Sequence, residues 1–307
     1  MSPISSLIRT NTIITVASWE ERFLLGTTKL VDTISPAKIL MFHYDGVFAE
    51  WSKENRDTIT ALCSDKGIEL VSDKILSFSS PSNSWKLLLS EVAAEVSRKE
   101  LVTLDISTMP RETIWTICHA LKHNNSTIQF INNKPRSENG YGEWLSRDPG
   151  RPRILYRQAG IQYIGRKTAL FIQSGFDVDR TKQLVRYFEP DIVLLGLQTG
   201  EQFENVIQNR QKHENAFAKR HNVEMFDVDG YSLEDCFNTF ETQIQRFTGE
   251  YNIIISSLGP KIGALALYKL KQCHPDIALC YAPSNEYNHD YSRGIGDCIY
   301  GILHPVC

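Results

Sequence analysis

Short apolar runs rich in β-branched residues alternate with longer segments whose apolar positions recur at helical spacing. TIITVAS predicts a strand, and Trp19 to Ile34 a helix with Ser18 as its N-cap. KILMFHYDG is a second strand, Glu50 to Lys66 a helix closed by Gly67, and Ile68 to Val71 a short third strand. Beyond the polar stretch SFSSPSNS, Trp85 to Arg98 puts Leu87, Leu88, Val92 and Val96 on one side of a helix. LVTLD, a helix opening at Pro110-Arg111, and the strand STIQFIN follow.

A second round of the same plan begins at TALFIQSGFD. A helix from Val178 to Phe188, the strand DIVLLGLQ, a long polar helix from Glu201 to His221 and the strand VEMFDVD come next. Leu233 to Phe247 is a helix, NIIISS a strand, Ile262 to Gln272 a helix, and DIALCYAP the last strand. Strands alternating with helices imply parallel sheets covered on both faces. The expected fold is therefore α/β, with two Rossmann-like parallel-sheet halves related by pseudo-duplication. Ser107 and Ser257, Pro110 and Pro260, and Arg111 and Lys261 all recur at an offset of 150 residues. Between the halves, NNKPRSENGYGEWLSRDPGRPR is a boundary by composition, and Arg153 to Tyr163 reads as a short strand or hairpin. The expected domains are 1–134, a linker or hairpin over 135–165, and 166–307 with a polar C-terminal tail that has no counterpart in the first half.

Composition narrows the function classes. The 307 residues carry 42% hydrophobic and 22% charged residues and a net charge of −3, which gives no basic nucleic-acid face and no polybasic membrane patch. No stretch has the uninterrupted apolar length of a membrane span, so a cytoplasmic location is expected. Seven cysteines without a C-x-x-C pair read as reduced, mostly buried thiols. No Gly-rich phosphate loop or G-x-S-x-G elbow is present, and the sequence does not identify a cofactor.

In an open parallel sheet, ligands sit beyond the C-terminal strand ends, where strand order reverses. The residues there are Ser18, Glu20 and Arg22, then Asp105, Ser107, Thr108 and Arg111. Their counterparts in the second half are Ser256, Ser257 and Lys261. A helix N-terminus with a hydroxyl and a fixed cation beside it suits phosphate or carboxylate. The same residues make a good N-cap with a solvated cation, so this alternative stands beside the ligand reading. His43 ends an apolar strand without an identifiable partner. His119 and His123 stand at i and i+4, a metal-compatible spacing without a third ligand, so no metal site is expected.

Two resemblances follow. VEMFDVDGYSLED is similar to the nucleophile motif of haloacid-dehalogenase-type phosphohydrolases, which would make Asp227 the nucleophile and Asp229 the acid/base. Tyr231 stands where that motif has Thr, and the motif falls late in the chain. DISTMPRE after the fourth strand, with the pseudo-duplicated plan, resembles the CARF sensor domains of prokaryotic immunity and their tandem relative SAVED. The Gly-rich turn common there is absent from Asp105-Ile106-Ser107-Thr108, and only Gly259 represents it in the second copy. That resemblance implies binding of a cyclic oligonucleotide between the halves and a part in antiphage defence, with another protein supplying the output. The sequence therefore supports a sensor or regulatory protein for a nucleotide or other phosphorylated small molecule. The alternatives are a phosphohydrolase or nucleoside-processing enzyme using Asp227/Asp229 or Glu20/Asp105, and a scaffold binding an ATPase or nuclease partner.

Overall fold

A computed structural model describes residues 7–138, 144–200 and 205–304. The first half contains β1 (Thr12–Val16), α1 (Glu21–Ile34), β2 (Lys38–Tyr44), α2 (Val47–Trp51), α3 (Lys53–Lys66), β3 (Glu69–Leu76), α4 (Pro81–Glu95), β4 (Leu101–Asp105), α5 (Arg111–His123) and β5 (Thr127–Asn133). Three short strands follow: β6 (Ser137–Glu138), β7 (Ser146–Pro149) and β8 (Arg153–Ile154). The second half contains β9 (Lys167–Gln173), α6 (Val178–Phe188), β10 (Ile192–Gln198), α7 (Asn205–Phe217), β11 (Val223–Val228), α8 (Leu233–Gln245), β12 (Tyr251–Ser257), α9 (Lys261–Cys273) and β13 (Ala278–Tyr281). The chain closes with β14 (Ser284–Tyr287), β15 (Ser292–Arg293) and β16 (Cys298–Leu303).

Each half forms a six-stranded, mostly parallel sheet flanked by helices. The orders are β16-β5-β4-β1-β2-β3 and β11-β10-β9-β12-β13-β8. With β1 matched to β9 and β4 to β12, both sheets have the same order: five parallel strands and a sixth antiparallel one beside the fifth. The central strands are buried on both faces, as parallel sheets require: TIITV in β1 is buried throughout, as is LFIQ of β9. In the first sheet, Ile13, Phe23, Leu30, Ile39 and Met41 build the core beneath α1 and α3. Leu170, Ile172, Leu184, Val193 and Leu195 do the same in the second.

The elements deviate from the sequence expectation where polar residues lie inside strands or at helix starts. The third strand runs to Leu76, because its edge position lets SDK face outward without an apolar run. The helix expected over Glu50 to Lys66 is two helices, divided at Ser52. Ser18 is not the cap of α1: Glu20, with φ −67° and ψ 137°, takes the N-cap position without a side-chain capping bond. Gly67 closes α3 in the left-handed conformation, as expected. The helix start expected at Glu201 lies outside the described residues.

The chain forms two compact units, and the tail crosses the expected boundary. The first takes in the described part of Met1–Asn139 together with His289–Pro305, and the second that of Gly140–Asn288. In the first unit, β16 pairs with β5 from Leu303–Ile128 to Cys298–Asn133, and β15 pairs with β6. In the second, β8 pairs with β13 and β7 with β14. Two equivalent segments are thus exchanged: β7–β8 follow β6 in the chain but complete the second unit, whereas β15–β16 follow β14 but complete the first.

Cys63, Cys118, Cys236, Cys280 and Cys298 are free thiols, whereas Cys273 is disulfide-bonded, unlike the reduced state expected for it. Cys307 lies outside the described residues. Burial raises all five free thiols, Cys280 and Cys298 to about 12, so few are ionised at neutral pH. The folded chain at pH 8 is expected to resist iodoacetamide at Cys118, Cys236 and Cys280, and to be alkylated there quickly in urea. Fast labelling of any of these three in the folded chain, followed by peptide mass spectrometry, would contradict the burial described.

Candidate functional site

In the first unit the order reverses between β1 and β4, so their C-terminal ends flank the switch point. Thr108, in the turn after β4, donates its hydroxyl to the Val16 carbonyl at 3.1 Å and ties the two ends together. Asp105 closes β4 and is almost fully buried. Its Oδ1 accepts from the Ser107 N–H at 2.9 Å and from the Ser107 hydroxyl at 2.5 Å. The same hydroxyl oxygen accepts from the Asn133 N–H at 2.8 Å and from Asn133 Nδ2 at 3.2 Å. One donor and two lone pairs exhaust a serine hydroxyl. Ser107 thus shapes the turn from inside, and Arg111, the first residue of α5, is the half-buried cation at the rim.

Beyond β1, Ser18 Oγ accepts from the Glu20 N–H at 3.3 Å, and Asn55 Nδ2 donates to the Ser18 carbonyl at 2.9 Å. Glu20 and Arg22 form a buried ion pair, Nε to Oε2 at 2.6 Å. The tail closes over it. Tyr291 donates its hydroxyl to Glu20 Oε2 at 2.8 Å and Ser292 donates to the same oxygen at 2.9 Å, while Arg22 Nη2 donates to the Tyr291 oxygen. The Gly294 N–H also donates to Glu21 Oε2 at 2.6 Å. Burial disfavours the Arg22 charge, but Glu20 and Tyr291 outweigh it and hold the guanidinium above its ordinary value. Burial, with Glu20 adding to it against Arg22, raises the Tyr291 phenol, which therefore stays protonated and serves as a donor. Next to this pair, Trp19 stacks on Phe48 at 5.7 Å and on His289 at 6.1 Å, with Trp51 edge-on at 5.1 Å.

In the second unit the switch lies between β9 and β12. Ser257 donates to Gln173 Oε1 at 2.6 Å, and Gln173 Nε2 donates to the Pro260 carbonyl at 3.4 Å. A Cβ at Gly263 would fall 2.0 Å from Gln173 Nε2, so glycine is what lets the first turn of α9 approach this amide. Ser256 is fully buried and is the register neighbour of Cys280. Pro260 is the N-cap of α9 with φ −55° and ψ 147°; Pro110 holds the same place before α5 with φ −59° and ψ 145°. Each proline immediately precedes the first residue of its helix. Arg111 and Lys261 then open two helices of 13 residues each. The duplicated motif is thus one local conformation used twice.

The exchanged strands bring a second parallel. Asp177 caps α6, accepting from the Asp179 N–H at 3.1 Å and the Arg180 N–H at 3.4 Å, and Ser146 of β7 donates to its other oxygen at 2.9 Å. Ser292 meets Glu20 in the first unit in the same way. Arg180, buried like Arg22, donates its Nε to the Ala282 carbonyl at 2.7 Å.

The phosphohydrolase arrangement is not assembled. Asp227 and Asp229 belong to β11 and the turn after it, at the edge of the sheet, with β10 and β9 between them and β12. Asp227 is paired with Arg210 and largely exposed, and Asp229 Oδ1 accepts from Gln198 Nε2 at 3.1 Å and the Tyr231 N–H at 2.9 Å. His119 and His123 approach to 3.1 Å between Nε2 atoms. Among the described residues no group of three or more His, Cys, Asp or Glu side chains could hold a metal ion. Gln173 and Asn133 were missed as site residues. Their signal is a polar residue ending an otherwise apolar strand, in KTALFIQ and TIQFINN.

No protein-family model and no curated protein matches the chain. Among solved structures, a Type III CRISPR defence DNA nuclease activated by cyclic oligoadenylate superposes with a TM-score of 0.54 at 9% identity. The match covers 84% of this chain and 63% of that one, so this chain spans under two thirds of the nuclease. A putative universal stress protein from Pseudomonas aeruginosa matches at 8% identity over 88% of this chain and 92% of that one, with a TM-score of 0.27. The likeness is one of fold, and at that level the CARF-type resemblance read from the sequence holds.

Proposed function

We propose that this chain is a sensor that binds a phosphate-bearing nucleotide, with cyclic oligoadenylate the foremost candidate, and that it serves antiphage defence. The observation that carries this reading is the duplicated helix start beyond β4 and β12. Pro110-Arg111 and Pro260-Lys261 share one backbone conformation and stand beside the switch point of their own sheets. Each joins a cation to the positive N-terminal end of a helix, which is the chemistry that favours a phosphate. The nuclease of similar fold is itself activated by cyclic oligoadenylate, which supports the choice of ligand. Ser107 and Ser257 shape the turns rather than reach the ligand, while Thr108 and the two cations face it.

Melting of the full chain with cyclic tetra-adenylate or cyclic hexa-adenylate tests this. Ligand at a hundredfold excess over Kd stabilises the folded state by about 2.7 kcal/mol, a readily measured rise in Tm. Arg111→Ala and Lys261→Ala are each expected to weaken binding by roughly tenfold or more, the worth of a charge-assisted hydrogen bond. A shift that ignores both substitutions, or no shift with any phosphate-bearing nucleotide, would remove the proposal.

A further inference from the structure

Residues 155–167, LYRQAGIQYIGRK, join β8 to β9 at the N-terminal edge of the second sheet, away from the switch point. The segment is fixed in place. The Ile161 N–H donates to the Asp276 carbonyl at 2.9 Å, and the Tyr163 hydroxyl to Asp276 Oδ2 at 2.7 Å. Asn252, at the start of β12, accepts from the Tyr163 N–H at 2.8 Å and returns a bond to its carbonyl at 3.0 Å. Gly160 has φ +65°, and a Cβ there would lie 2.1 Å from the Asp276 carbonyl oxygen, so the turn is pressed against the backbone it rests on.

What this fixed segment displays is apolar. Tyr156, Ile161 and Tyr163 are exposed, and Ile164 at its tip is as open as in an extended chain. Beside them lies a cavity of about 170 Å³ lined by Ile161, Tyr163, Arg166, Tyr251, His274 and Asp276, among others. Folded chains rarely hold several large apolar side chains in water along one ordered segment without a use for them. Tyrosine and arginine are the residues enriched at protein interfaces, and order before binding lowers the entropic cost of association. Arg157 and Arg166 lie over the Tyr156 and Tyr163 rings at 5.4 and 3.9 Å, and with Lys167 they give the segment three cations and no carboxylate of its own.

We propose that this segment docks a protein partner that presents an apolar side chain framed by carboxylates. The charge pattern selects that occupant. A second copy meeting it symmetrically would set Arg157, Arg166 and Lys167 against themselves. The cavity beside the segment seats one protruding side chain, which a protein presents and a flat lipid surface does not, while His274 and Asp276 in its wall are already paired with Glu241 and Tyr163 at 2.7 Å each. None of these residues lies at the strand ends assigned to the nucleotide, so the docking surface stands or falls independently of that reading.

The test pans a random-peptide display library on the full chain and counter-selects on Ile164→Asp, an exposed position whose change leaves the core intact. The enriched peptides are expected to carry an aromatic or aliphatic anchor between acidic residues. Their binding to Ile164→Asp and to the double variant Arg157→Glu/Arg166→Glu should fall by about 30-fold, the size of an interface hot spot, with Tm and the nucleotide-induced shift retained. Enrichment of basic or uncharged peptides, or binding indifferent to these substitutions, overturns the proposal. So does a concentration-dependent dimer, or binding to phosphatidylserine vesicles, that Ile164→Asp abolishes.

Discussion

Replacing Glu20 with alanine is expected to destabilise the first unit by about 3–5 kcal/mol, the cost of leaving a buried charge without its partner. Arg22 would keep its guanidinium in a site whose side chains are only 8% and 7% exposed, and the Tyr291 and Ser292 hydroxyls would lose their acceptor. An exposed pair such as Lys53–Asp57, with side chains 71% and 64% exposed, is worth about 0–1 kcal/mol, and its loss should hardly register. The double variant Glu20→Ala/Arg22→Met removes charge and countercharge together and should recover much of the loss, because an apolar replacement avoids the desolvation cost. Urea unfolding followed by tryptophan fluorescence reads mainly this unit, since four of the five tryptophans, Trp19, Trp51, Trp85 and Trp115, belong to it and only Trp144 to the second. A loss below about 1 kcal/mol for Glu20→Ala would mean that the pair behaves as a surface one.

Ending the chain after Asn288 should have a still broader effect. β5 loses six paired residues, from Ile128 to Asn133, and its N–H and C=O row becomes an open edge. At the same time Glu20 loses Tyr291 and Ser292, and Trp19 loses the His289 carbonyl that accepts its indole N–H at 3.0 Å. Hydrogen exchange is the measurement that separates the units. Protection is expected to disappear along β5 and fall in β4, while the central strands β9 and β12, paired on both sides within the second unit, keep theirs. Unchanged protection in β5 would show that the sixth strand adds nothing to its sheet.

Local pattern carried most of the fold. The alternation of apolar runs with amphipathic stretches placed the five parallel strands of each sheet and most of their helices, and the offset of 150 residues located two helix starts whose prolines adopt the same backbone angles. Strand order was not legible, because pairing depends on contacts across the whole chain rather than on any window of it. The run CIYGIL reads as part of a polar tail rather than as a strand, and nothing in it says that its neighbour is TIQFINN, some 165 residues earlier. Motifs that name residue types were least informative. D-x-D-G at Asp227 marks an edge strand and a turn, and Ser107 looked like a ligand hydroxyl until Asp105 and Asn133 were seen to saturate it. Tyr291 and Ser292 belong to the polar tail, but their target, Glu20, is visible only in the folded chain.

The exchanged strands also set an order of events during synthesis. Among the described residues the second unit is one continuous stretch of chain, and its sixth strand, β8, leaves the ribosome before its first, β9. The first unit has five strands made early and a sixth that emerges only after the whole of the second unit. While the intervening residues are translated, at about 5–20 per second, β5 stands with a bare edge and Glu20 without two of its donors. The N-terminal unit is therefore the last to be finished, once β16 reaches the bare edge of β5.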